Sequence, residues 1–93
     1  MHKLIVSRHD GAIEWLREEL TDFAEREIVE SVTPEQVKGA DVVGNLPLFL
    51  ASLCAEFRAI EFAGAPPRGA EYGAQEMRQA GARLVAYKVT RLS

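Results

Sequence analysis

The segment Leu4–Gly11 reads LIVSRHDG, and it decides the fold of this chain. Its apolar half is short, continuous and contains two β-branched residues, which is typical of a strand that is buried on both faces of a parallel sheet. Asp10-Gly11 is a turn signal, so we expect the strand to end before it. The sequence therefore predicts a central strand at 4–6 that delivers three polar side chains to one edge of the sheet: Ser7, Arg8 and His9.

The residues after this turn follow a helical period. Four apolar residues are spaced by three, four and three positions, which indicates one buried stripe of a helix: Ile13, Leu16, Leu20 and Phe23. We expect Asp10 to cap this helix at its N-terminus. Trp15 lies off the stripe, and we expect it to be either partly exposed or part of an interface between subunits.

The rest of the chain alternates strands with helices. We predict further strands at 27–32, 41–45, 59–63 and 83–91, helices at 48–57 and 74–80, and one helical turn at 33–39. A capping box formed by Thr33 and Gln36 begins that turn, and Gly39 ends it. This order requires crossover connections. We therefore predict a compact Rossmann-like α/β fold, with a mostly parallel sheet of about five strands flanked by helices and the last strand antiparallel at an edge.

Length and charge narrow the range of partners. The chain has 93 residues, 47% of them hydrophobic and 27% charged, which fits a single globular domain at 1–93. The net charge is -3 and no run of Lys or Arg occurs, which argues against binding of polymeric DNA or RNA. Eight of the eleven basic residues are Arg, the side chain suited to bidentate contacts with a small anionic ligand.

The sequence shows no sign of export or of a membrane anchor. The apolar run at 4–6 is too short for a signal peptide, and no stretch approaches the length of a membrane-spanning helix, so we expect a cytoplasmic protein. Cys54 is the single cysteine and cannot form an internal disulfide. Its apolar surroundings predict a small buried side chain and not a nucleophile.

Ligands of parallel sheets bind beyond the carboxyl ends of the strands, where we expect three loops to meet. The first loop offers a hydroxyl, a fixed positive charge and a candidate general acid or base: Ser7, Arg8 and His9. Gly11 lies at a helix start, where backbone N–H groups attract an anion. The alternative is that Arg8 pairs with Asp10 or Glu30 and that His9 is an ordinary surface residue.

The other two loops hold further candidate ligand contacts. Gly44 permits close approach to the backbone, and Asn45 can hydrogen-bond a base, ribose or phosphate or else only cap the next helix. Arg68, followed by Gly69, is either a phosphate clamp or a solvated arginine. No spacing typical of a metal site or a phosphate-binding loop occurs, so we expect neither metal nor cofactor. Five other arginines are expected to be solvated: Arg17, Arg26, Arg78, Arg83 and Arg91.

Four segments resemble one protein family in the right order along the chain. They are residues 6–15, 39–47, 67–71 and 81–89, and the most specific of them carries the pattern Ser-Arg-His-x-Gly-Ala-x-Glu-Trp. They are similar to the small CRISPR-associated accessory proteins of the Csx series, number sixteen in that series, found beside type III systems. The chain departs from the family pattern at Asp10, at 31–33, at Asn45 and at Phe49.

The resemblance implies a ring nuclease with a fold like that of the CRISPR-associated Rossmann (CARF) domains. Such a protein binds cyclic oligoadenylate, here expected to be cyclic tetra-adenylate, and cuts it without a metal through attack by a ribose 2′-hydroxyl, which ends the antiviral signal. On the matched positions, Arg8 and Arg68 would hold phosphate and His9 would move a proton. Ser7 and Asn45 would orient ribose or phosphate.

A ring with two-fold symmetry suits a homodimer, whose interface we expect to include Trp15 and the apolar helix at 48–57. Two other functions compete with the nuclease. One is a module of the same fold that sequesters the ring without cutting it. The other is an adaptor that docks on a CRISPR complex through the apolar helix.

Overall fold

The computed structural model describes residues 1–65 and 72–93 of the chain. In order, the elements are β1 (Lys3–Val6), α1 (Asp10–Glu19), a 3-10 turn (Phe23–Glu25), β2 (Glu27–Val29), α2 (Pro34–Val37), β3 (Asp41–Gly44), α3 (Leu48–Ala51), β4 (Glu56–Phe62), α4 (Ala74–Gln79) and β5 (Ala82–Tyr87). The predicted order of strands and helices is confirmed. Three strands are shorter than the predicted ranges 27–32, 41–45 and 83–91.

The five strands form one sheet in the order β2-β1-β3-β4-β5. The first four pair in parallel, and β5 runs antiparallel to β4 at the edge, as predicted. The predicted α/β fold with a mostly parallel sheet flanked by helices is confirmed. Because β2 lies on one side of β1 and β3 on the other, the chain changes direction across the sheet at β1, and this creates a topological switch point.

Helices cover both faces of the sheet, so β1 is buried on each side. On one face, Leu4 and Val6 pack with α2 and α3. On the other face, Ile5 packs with α1 and α4. This arrangement explains why the apolar run of β1 is continuous and does not alternate with polar residues.

The first helix buries a wider face than its apolar stripe predicts. Trp15 is only 2% exposed and lies in the core that α1 shares with α4, so its predicted exposure or place in an interface is wrong. The physical reason is that α4 packs against α1 and covers the side chains next to the stripe. The helix ends at Glu19, and Phe23 instead begins the 3-10 turn.

Two helix starts test the cap predictions. The capping box of Thr33 and Gln36 is present, and Gly39 follows in a left-handed conformation with φ 70°. The predicted cap of α1 is wrong, because its N-cap is His9 and not Asp10. His9 has extended backbone angles and an acceptor nitrogen, which are the two properties an N-cap needs.

The predicted helix at 48–57 is wrong beyond its first turn. The helix α3 ends at Ala51, and Phe57 lies in β4, where it pairs with Val42 of β3. A short apolar run does not distinguish a buried helix from a buried strand, and pairing with β3 decides for the strand here. Cys54 is half-buried in the connection between the two, and burial raises the pKa of its thiol, which makes it a poor nucleophile.

Arg26 is buried, which contradicts the prediction that it is solvated. Its guanidinium hydrogen-bonds the Asp22 carboxylate at 3.0 and 3.1 Å and the backbone carbonyls of Leu4 and Asp41 at 3.1 Å each. Its Nη2 also lies 3.0 Å from Oδ2 of the buried Asp41. This ion network joins the amino ends of β1 and β3. The other four arginines predicted to be solvated are exposed: Arg17, Arg78, Arg83 and Arg91.

Within residues 1–65 and 72–93, no helix combines the length and the apolar character needed to cross a bilayer.

Candidate functional site

The candidate site lies where β1, β2 and β3 reach their carboxyl ends. Val6 pairs with both Val29 and Gly44 in the parallel register, so the residues that follow these three strands meet at one edge. The Ser7 backbone N–H extends this pairing by donating to the Val29 carbonyl at 3.0 Å. The switch point of the sheet therefore brings the first and second predicted loops together.

His9 is tied to its surroundings through its backbone, one ring nitrogen and one ring face. Its backbone N–H donates to the Ser7 hydroxyl oxygen at 3.1 Å, and its Nδ1 accepts from the Gly11 N–H at 3.1 Å. The Tyr72 ring stacks on the imidazole with centroids 3.8 Å apart and planes inclined by 22°. The other nitrogen, Nε2, is shielded from solvent and has no hydrogen-bond partner among the described residues.

Arg8 is exposed and forms no ion pair with any acid in the described ranges, residues 1–65 and 72–93. The alternative in which Arg8 pairs with Asp10 or Glu30 is therefore wrong. No acid of residues 1–65 and 72–93 neutralises this positive charge, and a charge-assisted hydrogen bond to an anionic ligand is stronger than one between neutral groups.

Two cavities adjoin Arg8 and His9. The first, which we call the Asn45 cavity, measures about 330 Å³ and is lined by Val6, Ser7, Arg8, His9, Glu30 and Asn45. The second, the Tyr72 cavity, measures about 470 Å³ and is lined by Arg8, His9, Asp10, Gly11, Glu14, Tyr72 and Gly73. The Asn45 cavity has one carboxylate and the Tyr72 cavity has two. An anionic group is therefore repelled less in the Asn45 cavity.

The two glycines predicted to approach a ligand are packed against the protein itself. A Cβ on Gly11 would lie 1.9 Å from the Tyr72 carbonyl oxygen, and the Gly11 N–H is engaged by His9. A Cβ on Gly44, where φ is +137°, would lie 2.1 Å from the Val6 carbonyl oxygen. Both positions need glycine because backbones meet there, and the close approach predicted for Gly44 is made by β1.

Asn45 is exposed beside Arg8 and does not cap α3, because the N-cap of that helix is Pro47 without a side-chain hydrogen bond. The cap alternative for Asn45 is therefore wrong, and its amide is free to face the cavity. The third predicted loop, with Arg68 and Gly69, lies outside the described residues.

The structure adds Tyr72 to the site, a residue that the sequence did not indicate, and it changes the role of Glu30. Tyr72 covers His9. Glu30, named from the sequence only as an alternative ion-pair partner of Arg8, follows β2 and lines the Asn45 cavity. The stacking of Tyr72 has no local signal, because it depends on how the connection before α4 packs on α1. Among the described residues, no group of three or more His, Cys, Asp or Glu side chains could hold a metal ion.

Arg8 has no acidic partner in the part of the chain that the structure describes, and it stands at the switch point beside other polar side chains. Together, these features define a small α/β protein with a candidate anion-binding site at the carboxyl edge of its sheet. The profile of a family described as "Putative CRISPR-associated protein (Cas_VVA1548)" matches residues 4–90. The chain belongs to this CRISPR-associated family. No significant match was found among curated proteins or among solved structures.

Proposed function

We propose that this protein is a ring nuclease that binds cyclic oligoadenylate, with cyclic tetra-adenylate as the expected ring, and cuts it to end type III CRISPR signalling. The observation that carries the proposal is the position of Arg8. It is an arginine without a carboxylate partner among the described residues, and it stands beside Ser7 and Asn45 at the switch point. Membership of a CRISPR-associated family and the resemblance of the Ser-Arg-His segment support the same class of ligand.

The proposed reaction is an internal transesterification. A ribose 2′-oxygen forms a bond to the adjacent phosphorus, and the bond from that phosphorus to the 5′-oxygen breaks. The proton lost from the 2′-hydroxyl is balanced by one gained by the leaving 5′-oxygen, so the products carry 2′,3′-cyclic phosphate ends. Two such cuts convert a tetra-adenylate ring into two linear di-adenylates, and no water is consumed.

Positioning and charge stabilisation are what the protein contributes to this reaction. Arg8 binds the non-bridging phosphate oxygens, on which negative charge grows in the transition state. Ser7 retains a hydroxyl proton to donate, because its oxygen serves as acceptor for the His9 backbone N–H. Asn45 offers an amide to the ribose or phosphate of the bound nucleotide.

A homodimer fits this ligand, since two copies of the Asn45 cavity would match the two halves of a symmetric ring. The apolar surface available for self-association is smaller than the sequence suggested. On the short helix α3 it consists of Leu48 and Phe49, which are 75% and 61% exposed. The same exposed pair favours the adaptor as the second candidate function, because an adaptor would use it to dock on another protein.

The test is incubation of the purified protein with cyclic tetra-adenylate and EDTA, followed by chromatography of the nucleotides. Arg8→Ala is the test variant, and Arg83→Ala is the matched control that removes an exposed arginine from β5. We expect the wild type and Arg83→Ala to produce di-adenylate with cyclic phosphate ends, and Arg8→Ala to leave the ring intact. An intact ring that co-elutes with the wild type would contradict the nuclease and support a protein that sequesters the ring without cutting it. A ring that is neither cut nor bound would favour the adaptor.

A further inference from the structure

The contacts of His9 constrain which of its ring nitrogens carries a proton. Nδ1 accepts the Gly11 N–H, so its lone pair points at that donor. In a neutral imidazole the proton then resides on Nε2. The cap of α1 therefore selects one tautomer of His9, in the same way that a hydrogen bond to one nitrogen fixes the other in many histidine sites.

That tautomer is unsuited to proton transfer. A general base needs a lone pair on the nitrogen that faces the substrate, and Nε2 has none while it carries the proton. A general acid needs a doubly protonated ring, which would place an N–H on Nδ1 against the Gly11 N–H and break the cap. Nε2 is also shielded from solvent in this arrangement.

We infer that His9 is a positioning residue, which caps α1 and anchors the backbone that carries Arg8, and that it is not the proton carrier implied by the family resemblance. This inference rests on the proposed function, since it assigns a role within that reaction. His9 follows Arg8 directly, and its backbone N–H is fixed on the Ser7 hydroxyl. Loss of the cap would therefore release the turn that holds both side chains at the cavity.

Tyr72 belongs to the same positioning unit. Its ring stacks on the face of the imidazole, and its carbonyl lies against Gly11, the residue that donates to the cap. The stack uses the ring face and not the phenol oxygen. Tyr72→Phe should consequently preserve the stack on His9, whereas Tyr72→Ala should remove it.

The decisive comparison is between His9→Asn and His9→Ala in the ring-cleavage assay. Asparagine is among the best N-cap residues and places an acceptor near the position of Nδ1, but it cannot transfer a proton at neutral pH. We expect His9→Asn to retain cleavage within about fivefold of the wild type, with a pH–rate profile of the same shape. We expect His9→Ala to lose about tenfold or more, in parallel with a lower melting temperature. Tyr72→Phe and Tyr72→Ala should reproduce this difference.

Proton transfer predicts a different result. General acid–base catalysis contributes about 10²- to 10⁴-fold, so both His9 variants would then lose at least about 100-fold, and the pH profile would change its shape. That outcome would overturn the inference.

A second measurement does not depend on cleavage. Nitrogen-15 NMR of the free protein distinguishes the imidazole tautomers, and we expect the proton on Nε2 of His9. A proton on Nδ1 would overturn the inference whether or not the protein cuts the ring. Absence of cleavage by the wild type would instead overturn the proposed function, and the NMR result and the melting temperatures of the two His9 variants would still decide the role of His9 as a cap.

Discussion

Replacement of Arg26 by alanine should lower the free energy of unfolding by about 3 to 5 kcal/mol. The substitution leaves the buried Asp41 carboxylate without its closest partner and strips the carbonyls of Leu4 and Asp41 of the hydrogen bonds they accept from the guanidinium. Removal of one partner from a buried ion pair costs this much because the remaining charge stays in a poorly solvated place. The only other cation near Asp41 among the described residues is Arg58, at 3.7 Å.

The loss in Arg26→Ala would be a large part of the total free energy of unfolding. Domains of this size have unfolding free energies of about 5 to 15 kcal/mol, and 1 kcal/mol corresponds to about 4 to 8 °C in melting temperature. We therefore expect Arg26→Ala to melt at least about 12 °C below the wild type. The melting temperature of Arg26→Lys should fall between those of the wild type and Arg26→Ala, because the three donors of an ammonium cannot replace the five contacts that the guanidinium makes with Asp22, Asp41 and the Leu4 carbonyl.

Equilibrium unfolding in urea, followed by circular dichroism, measures this difference. Arg83→Ala is the control, since loss of an exposed arginine on β5 should change the unfolding free energy by less than about 0.5 kcal/mol. A loss below about 1 kcal/mol in Arg26→Ala would refute the reasoning. It would mean that water or rearranged side chains hydrogen-bond the oxygens of Leu4 and Asp41 that the guanidinium contacts in the wild type.

Three further predictions concern acid, backbone packing and self-association. The hydrogen bond from Arg26 lowers the pKa of Asp22 from 3.8 to about 2. The ionised Asp22 carboxylate therefore stabilises the folded protein fully above about pH 4, and this stabilisation is lost as the pH falls towards 2. Asp22→Asn should remove that acid dependence and about 1 to 2 kcal/mol at neutral pH, which urea unfolding across the acid range would show. Gly11→Ala should lower the melting temperature, although alanine favours helices by about 1 kcal/mol, because its Cβ would lie 1.9 Å from the Tyr72 carbonyl oxygen; a melting temperature at or above that of the wild type would contradict the packing described. Leu48→Ser together with Phe49→Ser should convert a dimer into a folded monomer in sedimentation experiments, and a dimer that persists would place the interface elsewhere.

The elements near β1 could be predicted because their signals are local. The continuous run at 4–6 requires burial on both faces, and the capping box at Thr33 and Gln36 depends on neighbours three residues apart. The switch point then follows from the order of strands, and with it the meeting of Ser7, Arg8 and Asn45 at one edge.

The features that the sequence did not predict depend on distant partners. Arg26 resembles any surface arginine locally, and its burial is decided by Asp41, fifteen residues further on. Phe57 could continue a helix or begin a strand, and only its pairing with β3 decides. The stack of Tyr72 on His9 joins residues that lie far apart in the sequence, so no local pattern indicates it.

Direct measurement of cyclic tetra-adenylate binding by calorimetry, with the wild type, Arg8→Ala and Arg83→Ala in parallel, tests the assignment of the site. A hydrogen bond to a charged group contributes about 1.5 to 3 kcal/mol, so Arg8→Ala should raise the dissociation constant at least about tenfold, while Arg83→Ala leaves it within about twofold. Equal binding by all three proteins would contradict the placement of the phosphate at Arg8. Absence of binding by the wild type would contradict this ring as its ligand.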